Sequence, residues 1–186
     1  MRPALVLTNL GRVSTIKQST QIDLSELATL VAEDNSFMRN LIRRMLLGLG
    51  VRTVFDARDG SEALDVIGRE RTDLVLCDWL MDPLDGADFT RIIRSAPDSP
   101  NQAVPIIMVS GYTEGWRVSQ ARDAGVNEIL AKPLSADRLL SRVVYLIENP
   151  RAFIDTMNYK GPDRRRRKDA RYSGSERRKT PYSYPE

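Results

Sequence analysis

The stretch that decides the fold is Asp73-Leu-Val-Leu-Cys-Asp78, a short and unbroken apolar run that ends in a carboxylate. Such a run is typical of a strand buried on both faces, as in a parallel sheet covered by helices. Comparable runs occupy Leu27–Ala32, Thr53–Phe55, Val104–Val109 and Val126–Ala131. The sequence therefore predicts five buried strands.

Segments with helical periodicity follow the strands. Asn35 and Ser135 are suited to cap the first and last of these helices, and glycines follow several of the apolar runs. Helices are predicted after Asn35, over Gly60–Arg69, after Gly86, over Glu114–Ala124 and after Ser135. Five strands alternating with five helices predict an α/β fold, a doubly wound parallel sheet with helices on both faces.

Polar side chains that carry chemistry cluster at the predicted strand ends. Glu33 and Asp34 follow the first strand, Asp78 ends the third, Ser110 follows the fourth and Lys132 the fifth. In an open parallel sheet these ends meet at one edge. Crowded carboxylates without His or Cys favour a hard cation such as Mg²⁺. Together the five residues predict a pocket for a phosphoryl group carried on Asp78.

The same segments, with Cys77–Met81 and Asp85-Gly86, resemble the receiver domain of two-component response regulators, the CheY-like or flavodoxin-like fold with strand order 2-1-3-4-5. The resemblance covers about Leu27–Glu148. It implies that Asp78 is the phosphoacceptor, Ser110 the switch hydroxyl and Lys132 the phosphate-pairing lysine. Glu33, Asp34, Asp78 and the backbone carbonyl of Leu80 would be the metal ligands.

The resemblance also implies a histidine kinase or phosphotransfer protein as phosphodonor and a cis Lys132-Pro133 bond. Ile129 stands where many receivers have an aromatic residue that moves with the switch hydroxyl. The expected output is protein-protein contact, through the helix-strand-helix face near Glu114–Glu148, with no enzymatic domain. We expect no DNA-binding domain after Pro150, because about 36 residues are too few for one.

Composition excludes several classes of function. The 186 residues include no His and one Cys, Cys77, so His-based catalysis, His-ligated metal sites and disulfide frameworks are ruled out. No apolar run reaches the roughly 20 residues of a membrane span, and the apolar patch Ala4–Leu7 is too short for a signal peptide. We therefore expect a cytoplasmic protein without membrane insertion.

The charge distribution predicts three parts. Residues 159–186 carry ten Lys/Arg and four Asp/Glu, whereas the net charge of the whole chain is only +3. An acidic body with a basic arm suits an anionic partner. We divide the chain into an N-terminal extension at 1–26, a receiver domain at 27–149 and an arginine-rich tail at 150–186, which we expect to be disordered because it is too polar to fold alone.

The tail contains a repeat offset by 13 residues: Tyr159–Arg166 reads YKGPDRRR and Tyr172–Lys179 reads YSGSERRK. It resembles the arginine-rich extension of a subgroup of CheY-like proteins that bind cyclic di-GMP and tune the flagellar motor. Arginine binds phosphate or guanine bidentately, and tyrosine offers a stacking face. The expected cyclic di-GMP contacts are Tyr159, Asp163, Arg164, Arg165, Tyr172, Glu176, Arg177 and Arg178.

Two functions stay open for this tail. In one, the protein joins a phosphorylation switch to cyclic di-GMP binding, with a downstream partner such as the flagellar motor. In the other, it is a phosphorylation switch whose basic tail binds nucleic acid or is inert. Nucleic-acid binding would be marked by an affinity that falls steeply with salt.

Overall fold

The computed structural model describes residues 22–99, 101–111 and 115–164. Five strands and five helices alternate along the chain, and a two-stranded hairpin follows them. The elements are β1 Ala28–Ala32, α1 Ser36–Gly48, β2 Thr53–Ala57, α2 Gly60–Arg69, β3 Leu74–Asp78, α3 Gly86–Ser95, β4 Ile106–Ser110, α4 Gly115–Ala124, β5 Glu128–Ala131, α5 Ala136–Glu148, β6 Phe153–Thr156 and β7 Tyr159–Pro162.

The first five strands form one parallel sheet in the order β2-β1-β3-β4-β5. This confirms the predicted fold class and strand order. β1 and β3 lie in register from Thr29 opposite Leu74 to Ala32 opposite Cys77. The carboxyl ends of these two adjacent strands therefore lie side by side. Among the helices of the described ranges, none combines the length and apolar character needed to cross a bilayer.

The sheet is buried because its strands send apolar side chains to both faces. Leu30, Val75 and Met108 pack under α2, α3 and α4, and the neighbouring Val31 and Leu76 pack under α1 and α5. Burial of two faces explains why these strands read as continuous apolar runs. Leu24, which is 3% exposed, also joins the second cluster, so the packed domain begins ahead of the predicted boundary at residue 27.

Side-chain caps define where several helices begin. The side chain of Asn35 accepts a hydrogen bond from the Met38 amide, and that of Ser135 accepts one from the Arg138 amide. Asp85 caps α3 in the same way. Each cap satisfies an amide that the first helical turn leaves without a partner. The two caps predicted from sequence are therefore confirmed.

The hairpin β6–β7 lies within the segment that the sequence assigns to the tail. Its strands pair antiparallel from Phe153 opposite Pro162 to Thr156 opposite Tyr159. Phe153 is 6% exposed, which gives this polar segment one buried apolar anchor. The chain is thus folded at least as far as Pro162, well beyond the end of α5.

Arg94 of α3 connects this hairpin to the rest of the domain. Its guanidinium donates to the carbonyls of Gly125 (3.1 Å) and Gln102 (2.6 Å) and to the Asn127 side chain (3.0 Å). It also lies 6.0 Å from the centroid of the Phe153 ring. Because Arg94 is only 2% exposed, all of these contacts are made out of water, where an unmade hydrogen bond is costly.

We predict that Arg94→Ala lowers the free energy of unfolding by about 3 kcal/mol, because it removes the donor to the Gly125 and Gln102 carbonyls together with a buried side chain. Arg91→Ala is the matched control, since Arg91 lies on the same helix and is half-exposed in a pair with Asp88. That control should change stability by less than about 0.5 kcal/mol. Urea denaturation measures both; equal effects of the two variants would contradict the anchoring role of Arg94.

Candidate functional site

The predicted functional residues meet at the carboxyl edge of the sheet. Glu33 directly follows β1, Asp78 ends β3, Ser110 ends β4 and Lys132 directly follows β5. Neighbouring parallel strands deliver these side chains to one place because their carboxyl ends point the same way. Glu33, Asp78 and Ser110 are buried, at 1%, 8% and 1% exposure.

Lys132 bridges the two buried carboxylates. Its Nζ lies 2.9 Å from Asp78 Oδ1 and 3.0 Å from Glu33 Oε2. The Lys132 amide also donates to the Ser110 carbonyl at 2.8 Å, which ties the residue after β5 to the end of β4. The ammonium is therefore held beside Asp78, where it can neutralise further negative charge.

Three carboxylates form a group suited to a metal ion. One oxygen each from Glu33, Asp34 and Asp78 lie within 4.8 Å of one another. Oxygen-only donors at this spacing fit a hard divalent cation such as Mg²⁺, which binds through few carboxylates and retains water. Asp34 is exposed, so one side of the group is open to solvent. The acidic group thus fits the predicted magnesium site.

Burial strains this group electrostatically. Desolvation raises the pKa of Asp78, and the hydrogen bond from Lys132 only partly opposes it. Desolvation likewise raises the pKa of Glu33, and the negative charge of Asp78 raises it further. Although burial opposes it, the hydrogen bonds to Asp78 and Glu33 raise the pKa of Lys132. Added positive charge at this edge would therefore stabilise the ionised carboxylates.

The Asp85-Gly86 pair has a steric role beside Asp78. A Cβ at residue 86 would lie 2.2 Å from the Asp78 carbonyl oxygen and 2.9 Å from Cys77 Sγ. Only glycine allows α3 to start this close to the end of β3. The Gly86 amide donates to the Trp79 carbonyl at 3.0 Å, which closes the loop after Asp78.

The remaining predictions for this edge have mixed outcomes. The Lys132-Pro133 bond is cis, as expected, and the Asp82-Pro83 bond is cis as well. Leu80 is 48% exposed beside the site, and its role as a backbone metal ligand stays a prediction. Ile129 is partly buried against the core and is aliphatic, so no aromatic residue occupies that position.

A contact between Trp79, the residue after Asp78, and α4 was not predicted from the sequence. Trp79 is 5% exposed and packs in the core. The Arg117 guanidinium, from the first turns of α4, lies 5.7 Å from the Trp79 ring and 4.6 Å from the Trp116 ring. Such cation–π contacts join α4 to the residue that follows Asp78.

Three of the predicted tail contacts lie within the described residues: Tyr159, Asp163 and Arg164. The Arg164 guanidinium stacks on Tyr159 at 3.9 Å and pairs with Asp123 at 3.2 Å, and the Asp163 carbonyl accepts from Arg151 at 3.2 Å. The other predicted contacts lie outside the described residues: Arg165, Tyr172, Glu176, Arg177 and Arg178.

The pKa of Glu33 leads to a pH-dependent prediction for metal-free protein. A carboxyl whose pKa is higher in the folded state stabilises the fold as pH falls through that pKa toward the ordinary value of 4.5. The stability difference between wild type and Glu33→Gln should therefore shift in favour of wild type as pH falls from neutral toward 4.5. Thermal denaturation in EDTA, from neutral pH to below 4.5, measures it.

Glu62→Gln is the control with the opposite sign. The Arg58 amide lowers the pKa of Glu62 by hydrogen bonding, so the stability contributed by Glu62 is present above the ordinary value of 4.5 and is lost as pH falls below it. If the Glu33 variant tracked the Glu62 variant, the assigned effect of burial at Glu33 would be wrong.

Comparison with known proteins gives a consistent result. The sequence profile of the family described as response regulator receiver domain matches residues 29–144, more than half of the chain. The chain is 30% identical over 119 residues to a protein named chemotaxis protein CheY from Pseudomonas aeruginosa, which covers 64% of this chain and 94% of that relative.

Solved structures agree with the sequence comparison. The receiver domain of the Francisella response regulator 1452 superimposes with a TM-score of 0.59 at 29% identity, covering 66% of this chain and 98% of that one. The receiver domain of the Arabidopsis thaliana histidine kinase CKI1, complexed with Mg²⁺ and BeF₃⁻, gives 0.57 at 28% identity, covering 65% and 91%.

Proposed function

This chain belongs to the response regulator receiver family, and we propose that it is a phosphorylation switch whose phosphoacceptor is Asp78. The observation that carries the proposal is the position of the Lys132 ammonium, 2.9 Å from Asp78 Oδ1 and 3.0 Å from Glu33 Oε2. A buried carboxylate with an ammonium beside it and two further carboxylates is an arrangement for holding a charged group. Magnesium-dependent phosphoryl transfer from a small phosphodonor tests the proposal.

In the proposed reaction, a carboxylate oxygen of Asp78 attacks the phosphorus of a phosphohistidine on a histidine kinase or phosphotransfer protein. The new O–P bond forms as the P–N bond breaks, and the imidazole leaves with the bonding electrons. Lys132 neutralises phosphoryl oxygens, and Ser110, at the end of β4, would contact one of them. The phosphoryl group brings negative charge to a pocket whose carboxylates already repel one another.

The acidic group explains why a cation belongs to this reaction. Glu33, Asp34, Asp78 and the backbone carbonyl of Leu80 would hold Mg²⁺, which supplies charge neutralisation at the phosphoryl oxygens when bound. Asp34 is exposed and leaves an approach from solvent. The site suits Mg²⁺ because its donors are all oxygens and because one oxygen from each of the three carboxylates lies within 4.8 Å of the others.

The proposed output is contact with a downstream protein through α4, β5 and α5. Trp116 is 62% exposed and Val118 41% exposed on α4, and Tyr145 is 36% exposed on α5. Large exposed apolar side chains on one side of a small domain mark protein contacts. A partner in chemotaxis fits the relative named chemotaxis protein CheY, and the flagellar motor is the partner that the resemblance of the tail implies.

We further propose that the arginine-rich tail binds cyclic di-GMP, through the residues that the repeat supplies. The start of the first copy supports this, because Arg164 already stacks on Tyr159 at 3.9 Å. Arginine-on-tyrosine stacking and paired arginines are the elements that phosphate and guanine recognition uses. Nucleic-acid binding, or no ligand, is the alternative.

Isothermal titration of the full chain with cyclic di-GMP at physiological salt tests the tail proposal. We expect saturable micromolar binding that Arg177→Ala/Arg178→Ala weakens by about tenfold or more, since each bidentate arginine is worth about 1–3 kcal/mol. Arg44→Ala/Arg52→Ala removes the same charge from exposed positions of the body and should leave affinity unchanged. Absence of heat, or equal loss in both variants, would contradict specific binding by the tail.

A further inference from the structure

Arg164 occupies a specific position at the end of α4. Its guanidinium lies 3.9 Å from the centroid of the Tyr159 ring, and its Nη1 lies 3.2 Å from Asp123 Oδ1. Asp123 is the second-last residue of α4, next to the turn that leads into β5. The first arginine of the repeat thus has an aromatic face below it and a carboxylate at its edge.

The Tyr159 ring is fixed in place. Its hydroxyl donates to the Pro162 carbonyl at 2.7 Å, and burial, which Arg164 partly offsets, raises its pKa. Gly161 has φ +151°, and a Cβ there would lie 2.9 Å from the Gly125 Cα, so the hairpin backbone contacts the α4–β5 turn directly. This contact holds the hairpin that carries Tyr159 against the turn that follows Asp123.

A guanidinium that stacks on an aromatic ring and pairs with a carboxylate makes the same kinds of contact that a guanine base would make there. Both are planar, both stack on an aromatic face, and both present parallel N–H donors that a single carboxylate accepts: the arginine nitrogens in one case, the N1 and N2 positions of guanine in the other. Stacking of a base on an aromatic side chain contributes favourably whatever the base, so the carboxylate supplies the selectivity for guanine.

We propose that Tyr159 and Asp123 form a guanine subsite for cyclic di-GMP, which Arg164 occupies when the ligand is absent. This proposal rests on the proposed binding of cyclic di-GMP by the tail, and it adds a residue of the receiver domain to that site. The resemblance offers Asp163 and Glu176 as the guanine-facing carboxylates; the subsite assigns that role to Asp123, because the Asp123 carboxylate already pairs with the Arg164 guanidinium that stacks on the ring.

Displacing Arg164 from Tyr159 and Asp123 costs little free energy and frees its guanidinium to contact the ligand. The Arg164 and Asp123 side chains are 42% and 53% exposed, and pairs so exposed contribute weakly to stability. Among the described residues, Arg122 also lies near this carboxylate, with its Nε 3.9 Å from Asp123 Oδ1. The released Arg164 can then pair with a ligand phosphate or with the O6/N7 edge of the stacked guanine.

The test is isothermal titration of the full-length protein and its Asp123→Asn variant with cyclic di-GMP and with cyclic di-AMP. Adenine has an acceptor at N1 and no amino group at C2, so it cannot donate to Asp123 as guanine does. We expect the variant to lose about tenfold or more in affinity for cyclic di-GMP, as for one bidentate base contact, and to keep its affinity for cyclic di-AMP.

Asp155→Asn is the matched control, because Asp155 is a 48%-exposed hairpin carboxylate that pairs with Lys160 at 3.5 Å. It should bind cyclic di-GMP as wild type does. Unchanged or tighter cyclic di-GMP binding by Asp123→Asn would overturn the subsite and leave Asp123 as a partner that only restrains Arg164. If wild type itself does not bind cyclic di-GMP, the tail proposal fails, and the subsite with it.

Discussion

Replacing Asp78 with Asn is expected to reduce phosphoryl transfer from acetyl phosphate to background. The amide lacks the negative charge of the carboxylate, and its oxygen is too weak a nucleophile to attack phosphorus. The variant should remain folded, because the substitution is isosteric and removes one of two buried carboxylates that repel each other. Phosphate-affinity gel electrophoresis over a time course measures the loss.

Asp65→Asn is the control for this experiment, since Asp65 is an exposed residue of α2 and is not one of the residues at the strand ends. It should be phosphorylated at the wild-type rate. Persistent phosphorylation of the Asp78→Asn protein would show that another residue accepts the group and would remove Asp78 from the proposed role.

Replacing Lys132 with Ala is expected to slow phosphoryl transfer by about a hundredfold or more, the usual cost of losing a group that stabilises transition-state charge. The reason is its position: Nζ lies 2.9 Å from Asp78 Oδ1 and is only partly exposed. Single-turnover rates of phosphorylation at saturating Mg²⁺ measure the effect.

The same variant has a second readout. In Lys132→Ala, the carboxylates of Glu33 and Asp78 stay buried but have lost their ammonium partner. The folded protein should therefore be less stable at pH 7, and it should regain stability as pH falls and these carboxylates are protonated. Lys160→Ala removes a surface lysine whose partner is Asp155 and should change neither the rate nor this pH dependence. A wild-type rate in Lys132→Ala would contradict the role of the ammonium.

Much of the site could be predicted from sequence because its geometry follows from topology. Glu33, Asp78 and Lys132 are far apart along the chain, but each lies at the end of a buried apolar run. Parallel strands bring such ends to one edge regardless of loop detail. Residue type and strand position therefore predicted both the convergence and the oxygen-only donor set.

The hairpin could not be predicted in the same way. Within the described part of the tail, residues 150–164, Phe153 is the one large apolar side chain that is buried, and Arg94, which arrives from α3, lies 6.0 Å from its ring centroid. Arg94 in turn is held by carbonyls of Gln102 and Gly125, in two different connections. An arginine that is buried by contacts with separate loops leaves no periodic pattern in the sequence. The sequence therefore indicates only a polar tail.

Asp123 illustrates the same limit. In sequence it is one charged residue near the end of a helix, next to Arg122, and nothing marks it apart from other surface charges. Asp123 and Tyr159 both contact Arg164 because the hairpin packs on the α4–β5 turn. The contact with Arg164 is therefore visible only in the folded chain.

The central claim is that the carboxyl edge of the sheet accepts a phosphoryl group on Asp78. The most direct test is mass-spectrometric mapping of the protein after incubation with acetyl phosphate, with Mg²⁺ and with EDTA. The account predicts one added phosphoryl group, on the peptide that contains Asp78, and only when Mg²⁺ is present. Modification of a different residue, equal modification in EDTA, or no modification with Mg²⁺ would contradict it.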